Sequence, residues 1–227
     1  MQKKIFFCLA VLLMLSAAAP TYARDASEER ILSFSSDIAV EDDGSMTVTE
    51  TITVHAAHEN IKHGIYRDFP TRYRDRLRNS YHAAFELVEV LRDGHPEDHH
   101  EESLSNGIRV YIGSRDAFVP PGVHVYAVTY RTSRQIGFFR EFDELYWNVT
   151  GNGWAFVIES ARATVTLPPA LSGRIRSYEA YTGVSGARGR DYSAFIDESG
   201  RAVFVSTKPL APHEGLTIAV TWPKGYI

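Results

Sequence analysis

The chain has 227 residues, of which 44% are hydrophobic, 12% aromatic and 23% charged, with a formal net charge of −4. Without Lys3 and Lys4, which belong to an N-terminal export signal, the 24 basic residues fall to 22 against 28 acidic ones, about −6. That balance argues against nucleic-acid partners and against polybasic attachment to anionic lipid. The one cysteine, Cys8, lies within that signal, so a disulfide framework and a cysteine nucleophile are excluded beyond it. Roughly 200 residues can bury a substantial core without such staples.

In chain order, Lys3 and Lys4 precede an apolar run from Ile5 to Leu15, then small residues from Ser16 to Ala19 before Pro20. This layout predicts a cleavable signal peptide over residues 1–23, with cleavage after Thr21-Tyr22-Ala23. The apolar run is shorter than the roughly 20 residues a spanning helix needs. The expected location is therefore exported and extracytoplasmic.

Beyond residue 23, apolar residues alternate with a period of two, the signature of half-buried strands. Leu32, Phe34, Ile38 and Val40 share one phase; after the turn Asp42-Asp43-Gly44, Met46, Val48, Ile52 and Val54 share another, which predicts a β-hairpin. Thr47, Thr49, Thr51 and Thr53 suit the opposite face of the second strand. Further strands are predicted at 81–91, 108–112, 123–131, 145–149, 155–158, 163–167, 175–181, 202–206 and 216–222. Asp93-Gly94, Asn106-Gly107, Pro120-Pro121-Gly122, Gly151-Asn152-Gly153, Pro168-Pro169 and Ser199-Gly200 supply turns between them. A short charged helix is the expectation for Thr71 to Arg78. Many short strands without an alternating helical pattern predict an all-β fold, a β-sandwich of mostly antiparallel strands. One extracytoplasmic domain over residues 24–227 is the simplest division.

The stretch His63-Gly64-Ile65-Tyr66-Arg67-Asp68-Phe69-Pro70 fits neither a helix nor an alternating strand. It reads either as a functional loop or as a structural crossover in which a buried arginine ties down backbone carbonyls. Glu50 lies in phase with Met46, Val48, Ile52 and Val54, so an acid points toward the core. A buried carboxylate needs a partner, and Arg67 is the nearest candidate, so a Glu50–Arg67 ion pair is predicted.

His63, Asp68 and Glu50 offer acid or base groups, but no nucleophile elbow, zincin motif or P-loop accompanies them. No catalytic residue and no cofactor is assigned. His95, His99 and His100, among the acids of residues 93–102, have metal-ligating chemistry but no standard zinc spacing. A solvated loop is expected there, and no metal. Tyr146, Trp147, Asn148 and Trp154 gather aromatic and amide groups that suit either a core or a surface for a glycan or a protein partner.

Several segments together resemble the N-terminal domain of the bacterial predicted membrane protein family known as domain of unknown function 2207. They are Asp43-Gly44-Ser45 with Val48-Thr49-Glu50, His63-Gly64-Ile65-Tyr66-Arg67-Asp68, Leu145-Tyr146-Trp147-Asn148 with Thr150-Gly151 and Trp154, Tyr181-Thr182-Gly183, and Trp222-Pro223-Lys224-Gly225. The resemblance spans roughly residues 31–225 and implies an extracytoplasmic domain that precedes transmembrane helices, with no established catalytic residues to carry over. The expected protein is a non-catalytic binding or assembly module of the bacterial envelope, tethered through a downstream transmembrane region absent from this chain. Its binding cluster would draw on Glu50, His63, Tyr66, Arg67, Asp68, Tyr146, Trp147, Asn148 and Trp154. The alternatives are an envelope hydrolase using His63 and Asp68 as acid and base, and a purely structural stalk.

Overall fold

The computed structural model describes residues 28–74 and 80–227. The expected signal peptide lies outside the described residues. The strands, in chain order, are β1 (Arg30–Val40), β2 (Met46–Ala56), β3 (Ile65–Pro70), β4 (Arg72–Arg74), β5 (Ser80–His82), β6 (Phe85–Arg92), β7 (His95–Pro96), β8 (His99–Leu104) and β9 (Gly107–Ile112). They continue with β10 (Gly122–Thr132), β11 (Ile136–Phe138), β12 (Phe142–Asn148), β13 (Ala161–Thr166), β14 (Ser177–Gly183), β15 (Tyr192–Ile196), β16 (Ala202–Ser206) and β17 (Gly215–Pro223). A single 3-10 turn, Pro169–Leu171, is the helical element among the described residues.

The fold is all-β. An eight-stranded sheet runs β15-β16-β13-β1-β2-β10-β6-β7, accompanied by a four-stranded sheet β11-β12-β17-β14, a three-stranded sheet β3-β9-β8 and the small β4-β5 ladder. The β1–β13 ladder is parallel, and the other strand ladders are antiparallel. One apolar cluster joins the three larger sheets: Phe34, Val48 and Tyr130 from the first, Leu145, Ile218 and Trp222 from the second, and Ile65, Phe69 and Val110 from the third. Inward faces of packed sheets bury such residues because the contact removes their apolar surface from water.

The β1–β2 hairpin follows its predicted turn. Gly44 takes φ 78°, and the Asp43 carboxylate accepts from the Ser45 N–H at 2.9 Å, a side-chain bond typical of turns. The phase of β1 is modified at its start: a bulge between Ile31 and Ser33 puts Ile31, not Leu32, into the core. A bulge adds one residue to one strand and so shifts every side chain before it to the other face.

Three expectations are corrected. The stretch at 65–70 is a strand, with Ile65, Arg67 and Phe69 buried and Tyr66 and Pro70 exposed. Its alternation is real but disguised, because a charged residue occupies an inward position. The predicted helix at 71–78 is not formed where described: Arg72–Arg74 is a strand paired with Ser80–His82. The acidic, histidine-rich segment is not a loop, since β7 and β8 pair with β6 and β9. β15, with Phe195 and Ile196 exposed, was not anticipated, and 155–158 forms only isolated bridges at Ile158.

Candidate functional site

The geometry at Arg67 organises the region where β3 meets the turn after β12. Glu50 on β2 is fully buried, and Arg67 is only 6% exposed. Arg67 Nε donates to Glu50 Oε2 at 2.7 Å and Nη2 donates to Glu50 Oε1 at 2.9 Å, the planar two-pronged pairing that a guanidinium makes with a carboxylate. The expected ion pair is therefore present. Nη2 also donates to the Val149 carbonyl at 2.9 Å, and the Tyr130 hydroxyl donates to Glu50 Oε1 at 3.1 Å.

The guanidinium carbon lies 5.4 Å from the Phe34 ring centroid and 5.3 Å from that of Phe69, within cation–π range. Burial works against the charged form of Arg67, but the Glu50 carboxylate outweighs it and holds the arginine above its usual basicity. Burial likewise pushes the Tyr130 phenol well above its ordinary value, reinforced by Glu50. One ion pair thus links the large sheet, the three-stranded sheet and the segment leaving β12.

The turn at 148–154 is held by its own side chains. Asn148 Oδ1 accepts from the Gly151 N–H at 3.1 Å, and Asn148 Nδ2 donates to Asn152 Oδ1 at 2.8 Å. Asn152 Nδ2 reaches the carbonyls of Gly183 and His213, both at 3.1 Å. Trp154 Nε1 donates to the Thr150 carbonyl at 2.9 Å while its ring meets Phe34 edge-on at 6.3 Å. Gly151 takes φ +71°, and a Cβ there would lie 2.7 Å from Arg67 Nη1. Only glycine permits both that backbone and that approach.

Between these segments lies an open cleft of about 570 Å³. Tyr66, Arg67 and Asp68 border it from β3, and Tyr146, Trp147, Asn148 and Trp154 border it from β12 and the following turn. Tyr146 is 59% exposed and Tyr66 42%. Asp68 accepts from Arg109 Nε at 2.6 Å and Nη2 at 2.8 Å, and the Arg109 guanidinium sits 4.1 Å from the Tyr66 ring centroid. The Asp68 hydrogen bond raises Arg109 above its ordinary basicity.

Of the residues singled out in the sequence, His63 stands apart. It does not border the cleft; its ring stacks on Phe118 at 4.5 Å, and Nδ1 lies 2.9 Å from the Ala117 carbonyl. His95 Nδ1 contacts the Asp93 carbonyl and His99 Nδ1 the Glu97 carbonyl, each at 3.0 Å. His100 stacks on Tyr111 at 4.7 Å with Arg115 Nη2 2.9 Å from its Nε2. Among the described residues no three His, Cys, Asp or Glu side chains converge as metal ligands do.

Sequence reading missed Tyr73, Phe85, Asn106, Tyr130 and Gln135, which also border the cleft. Tyr130 carried a usable signal: it falls in phase with Tyr126 and Val128 on β10, which places its ring on the buried face. The others are scattered over β4, β6 and two connecting segments, and no local pattern joins them.

A family model described as "Predicted membrane protein (DUF2207) N-terminal domain" matches residues 30–222. The chain belongs to this family. Among curated proteins, this DUF2207 domain is similar to "Uncharacterized protein YciQ" of Escherichia coli (strain K12), with 28% identity over 225 residues. That match covers 96% of this chain and 34% of the relative.

Among solved structures it is similar to native yeast LTA4 hydrolase, with a TM-score of 0.52 at 12% identity, covering 92% of this chain and 33% of that one. A second structure, native leukotriene A4 hydrolase from Saccharomyces cerevisiae, gives 0.50 at 11% identity, covering 90% of this chain and 32% of that one. At such identities the likeness is one of fold alone. The chain spans about a third of the length of these relatives. The family is that of a predicted membrane protein, and among the described residues no helix is long and apolar enough to cross a membrane.

Proposed function

We propose that this DUF2207 domain is an extracytoplasmic recognition module of a membrane protein, binding a protein or glycan of the bacterial envelope in the cleft between β3 and the 148–154 turn. The observation that carries this reading is the convergence of Tyr66, Arg67 and Asp68 with Tyr146, Trp147, Asn148 and Trp154 on one cleft of about 570 Å³. That volume falls within the range of small-ligand clefts, and exposed aromatic faces give such clefts much of their contact energy.

The module acts by binding and not by catalysis. Support comes from the separation of the two acid–base candidates. Asp68 borders the cleft engaged with Arg109, while His63 lies beyond the start of β3 against Phe118. Five residues separate them along the chain, and the three steps from Ile65 to Asp68 are strand at about 3.3 Å each. A general acid and base must both reach one substrate within hydrogen-bond distance.

Immobilised chain incubated with envelope extract and with solubilised envelope glycan tests the reading. Retention of a component by the wild type and its loss in Tyr146→Ala, whose exposed ring can be removed without opening the core, is the expected result. Equal retention by both forms would overturn the assignment of the cleft. Hydrolysis of the retained component, abolished by Asp68→Asn, would overturn the non-catalytic part.

A further inference from the structure

The hydrogen-bonding inventory of the cleft is unbalanced. A guanidinium carries five N–H groups. In Arg67, Nε–H and both Nη2 hydrogens have short partners in Glu50 and Val149. Nη1 has two hydrogens and, in the structure, only the Asp68 carbonyl at 3.5 Å, beyond the 2.7–3.2 Å of an ordinary N–H···O bond. Nη1 is also the atom beside Gly151, whose missing side chain leaves the approach open, and both residues border the cleft. The Arg67 side chain is only 7% exposed. Buried polar groups are nearly always paired, and an exception calls for an explanation.

A second donor is in the same position. Trp147 borders the cleft, and its Nε1 is buried without a hydrogen-bond partner. The carboxylates and turn amides around Arg67, by contrast, have their acceptors occupied. Glu50 is taken by Arg67 and Tyr130, Asp68 by Arg109, and the side-chain oxygens of Asn148 and Asn152 by their own turn. Two unspent donors beside occupied carboxylates select a ligand group that accepts. Tyr66, Phe85, Tyr146 and Trp154 around them offer ring surface for an apolar neighbour of that group.

We infer that the cleft takes a carboxylate on Arg67 Nη1, and that the carboxylate is the C-terminus of an apolar or aromatic peptide. The inference rests on the reading of the cleft as a binding site and adds the chemistry it recognises. A carboxylate suits the position because a charge-assisted bond to a guanidinium is stronger than a neutral one. A peptide C-terminus is favoured over an acidic sugar because Tyr66, Phe85, Tyr146 and Trp154 supply ring faces for apolar side chains, while the Asn148 and Asn152 side chains are committed to the turn.

Removing Arg67 would strand Glu50 and jeopardise the fold, so the test varies the ligand. The full chain is titrated with N-acetyl-Ala-Ala-Phe as the free acid, with its C-terminal amide, and with glucuronic acid, following tryptophan fluorescence. Wild type and Tyr146→Ala are compared. The expected result is saturable binding of the free acid, weakened about tenfold or more in the amide and weakened also by Tyr146→Ala.

Equal binding of acid and amide, both reduced in Tyr146→Ala, would overturn the carboxylate inference and leave the cleft intact as a binding site. Acid binding unchanged by Tyr146→Ala would overturn both. Binding of glucuronic acid without the peptide would overturn the peptide assignment and retain the carboxylate. Binding of none of the three would overturn the inference, the envelope-extract experiment then deciding separately on the cleft.

Discussion

Replacing Arg67 with methionine isolates what the central ion pair does for stability. The variant leaves Glu50, which has no solvent exposure, with the Tyr130 hydroxyl at 3.1 Å as its remaining bond among those described. The Val149 carbonyl loses its guanidinium donor at the same time. Breaking a buried pair by removing one partner costs about 3–5 kcal/mol, a large share of a domain stability of about 5–15 kcal/mol. Methionine restores part of the contact with Phe34 and Phe69, which places the expectation near 4 kcal/mol.

Urea unfolding of wild type and Arg67→Met measures this directly. With a slope of about 2 kcal/mol per molar urea, the midpoint falls by about 2 M. The triple variant Glu50→Leu, Arg67→Met, Tyr130→Phe removes the charge, its partner and the hydroxyl together and recovers much of the loss. A midpoint shift below about 0.5 M in Arg67→Met would refute the role given to the pair.

Three further expectations follow from local geometry. Gly151→Ala combines φ +71° with a Cβ 2.7 Å from Arg67 Nη1, so thermal unfolding should show a loss of about 2 kcal/mol; an unchanged midpoint would contradict the close approach. The Asp68–Arg109 pair is partly exposed, at 35% and 26%, so Asp68→Asn should cost less than about 1 kcal/mol, against the much larger effect at Arg67.

Glu29 accepts from the backbone N–H groups of Ala57, Glu59, Asn60 and Ile61 at 2.7–3.1 Å. Burial works to raise its pKa, but these bonds prevail and hold the carboxyl below its ordinary value of 4.5. A depressed folded value means its contribution is present above the unfolded value and is lost as pH falls through the folded one. Glu29→Ala should therefore cost about 2 kcal/mol at neutral pH, with the gap to wild type closing below the ordinary carboxylate range. A gap independent of pH would show that the charge is not what ties the 57–61 segment.

Much of the sheet architecture was legible because half-buried strands write their period into the sequence. β2 is the clearest case, with Met46, Val48, Ile52, Val54 and Ala56 inward and threonines between them. The same regularity exposed Glu50 as an anomaly and led to Arg67 as its partner. The reading failed at β3 for a related reason: Arg67 occupies an inward position, and a period counted on apolar residues alone passes over it.

β8, with three acidic or histidine residues in its first three positions after His99, is exposed on most of its length and gives no apolar period at all. The cleft was half legible. Its two principal segments were assigned to one candidate cluster, but strands on different sheets assemble the rest of its wall, and the bidentate tie between Asp68 and Arg109 joins residues 41 apart in sequence. Pairings of that range leave no local trace.

The parallel ladder between β1 and β13 pairs Phe34 with Ala161 near the middle of the eight-stranded sheet. β1 and β2 can form their hairpin as soon as the first strands leave the ribosome, but the other edge of β1 must wait for more than half of the chain. Until then it presents unpaired N–H and C=O groups beside an apolar face, the usual template for mispairing between chains. A fragment ending before Ala161 would carry that open edge permanently. Limits on how this domain can be cut are thus set in the centre of its largest sheet, by the strand that arrives late.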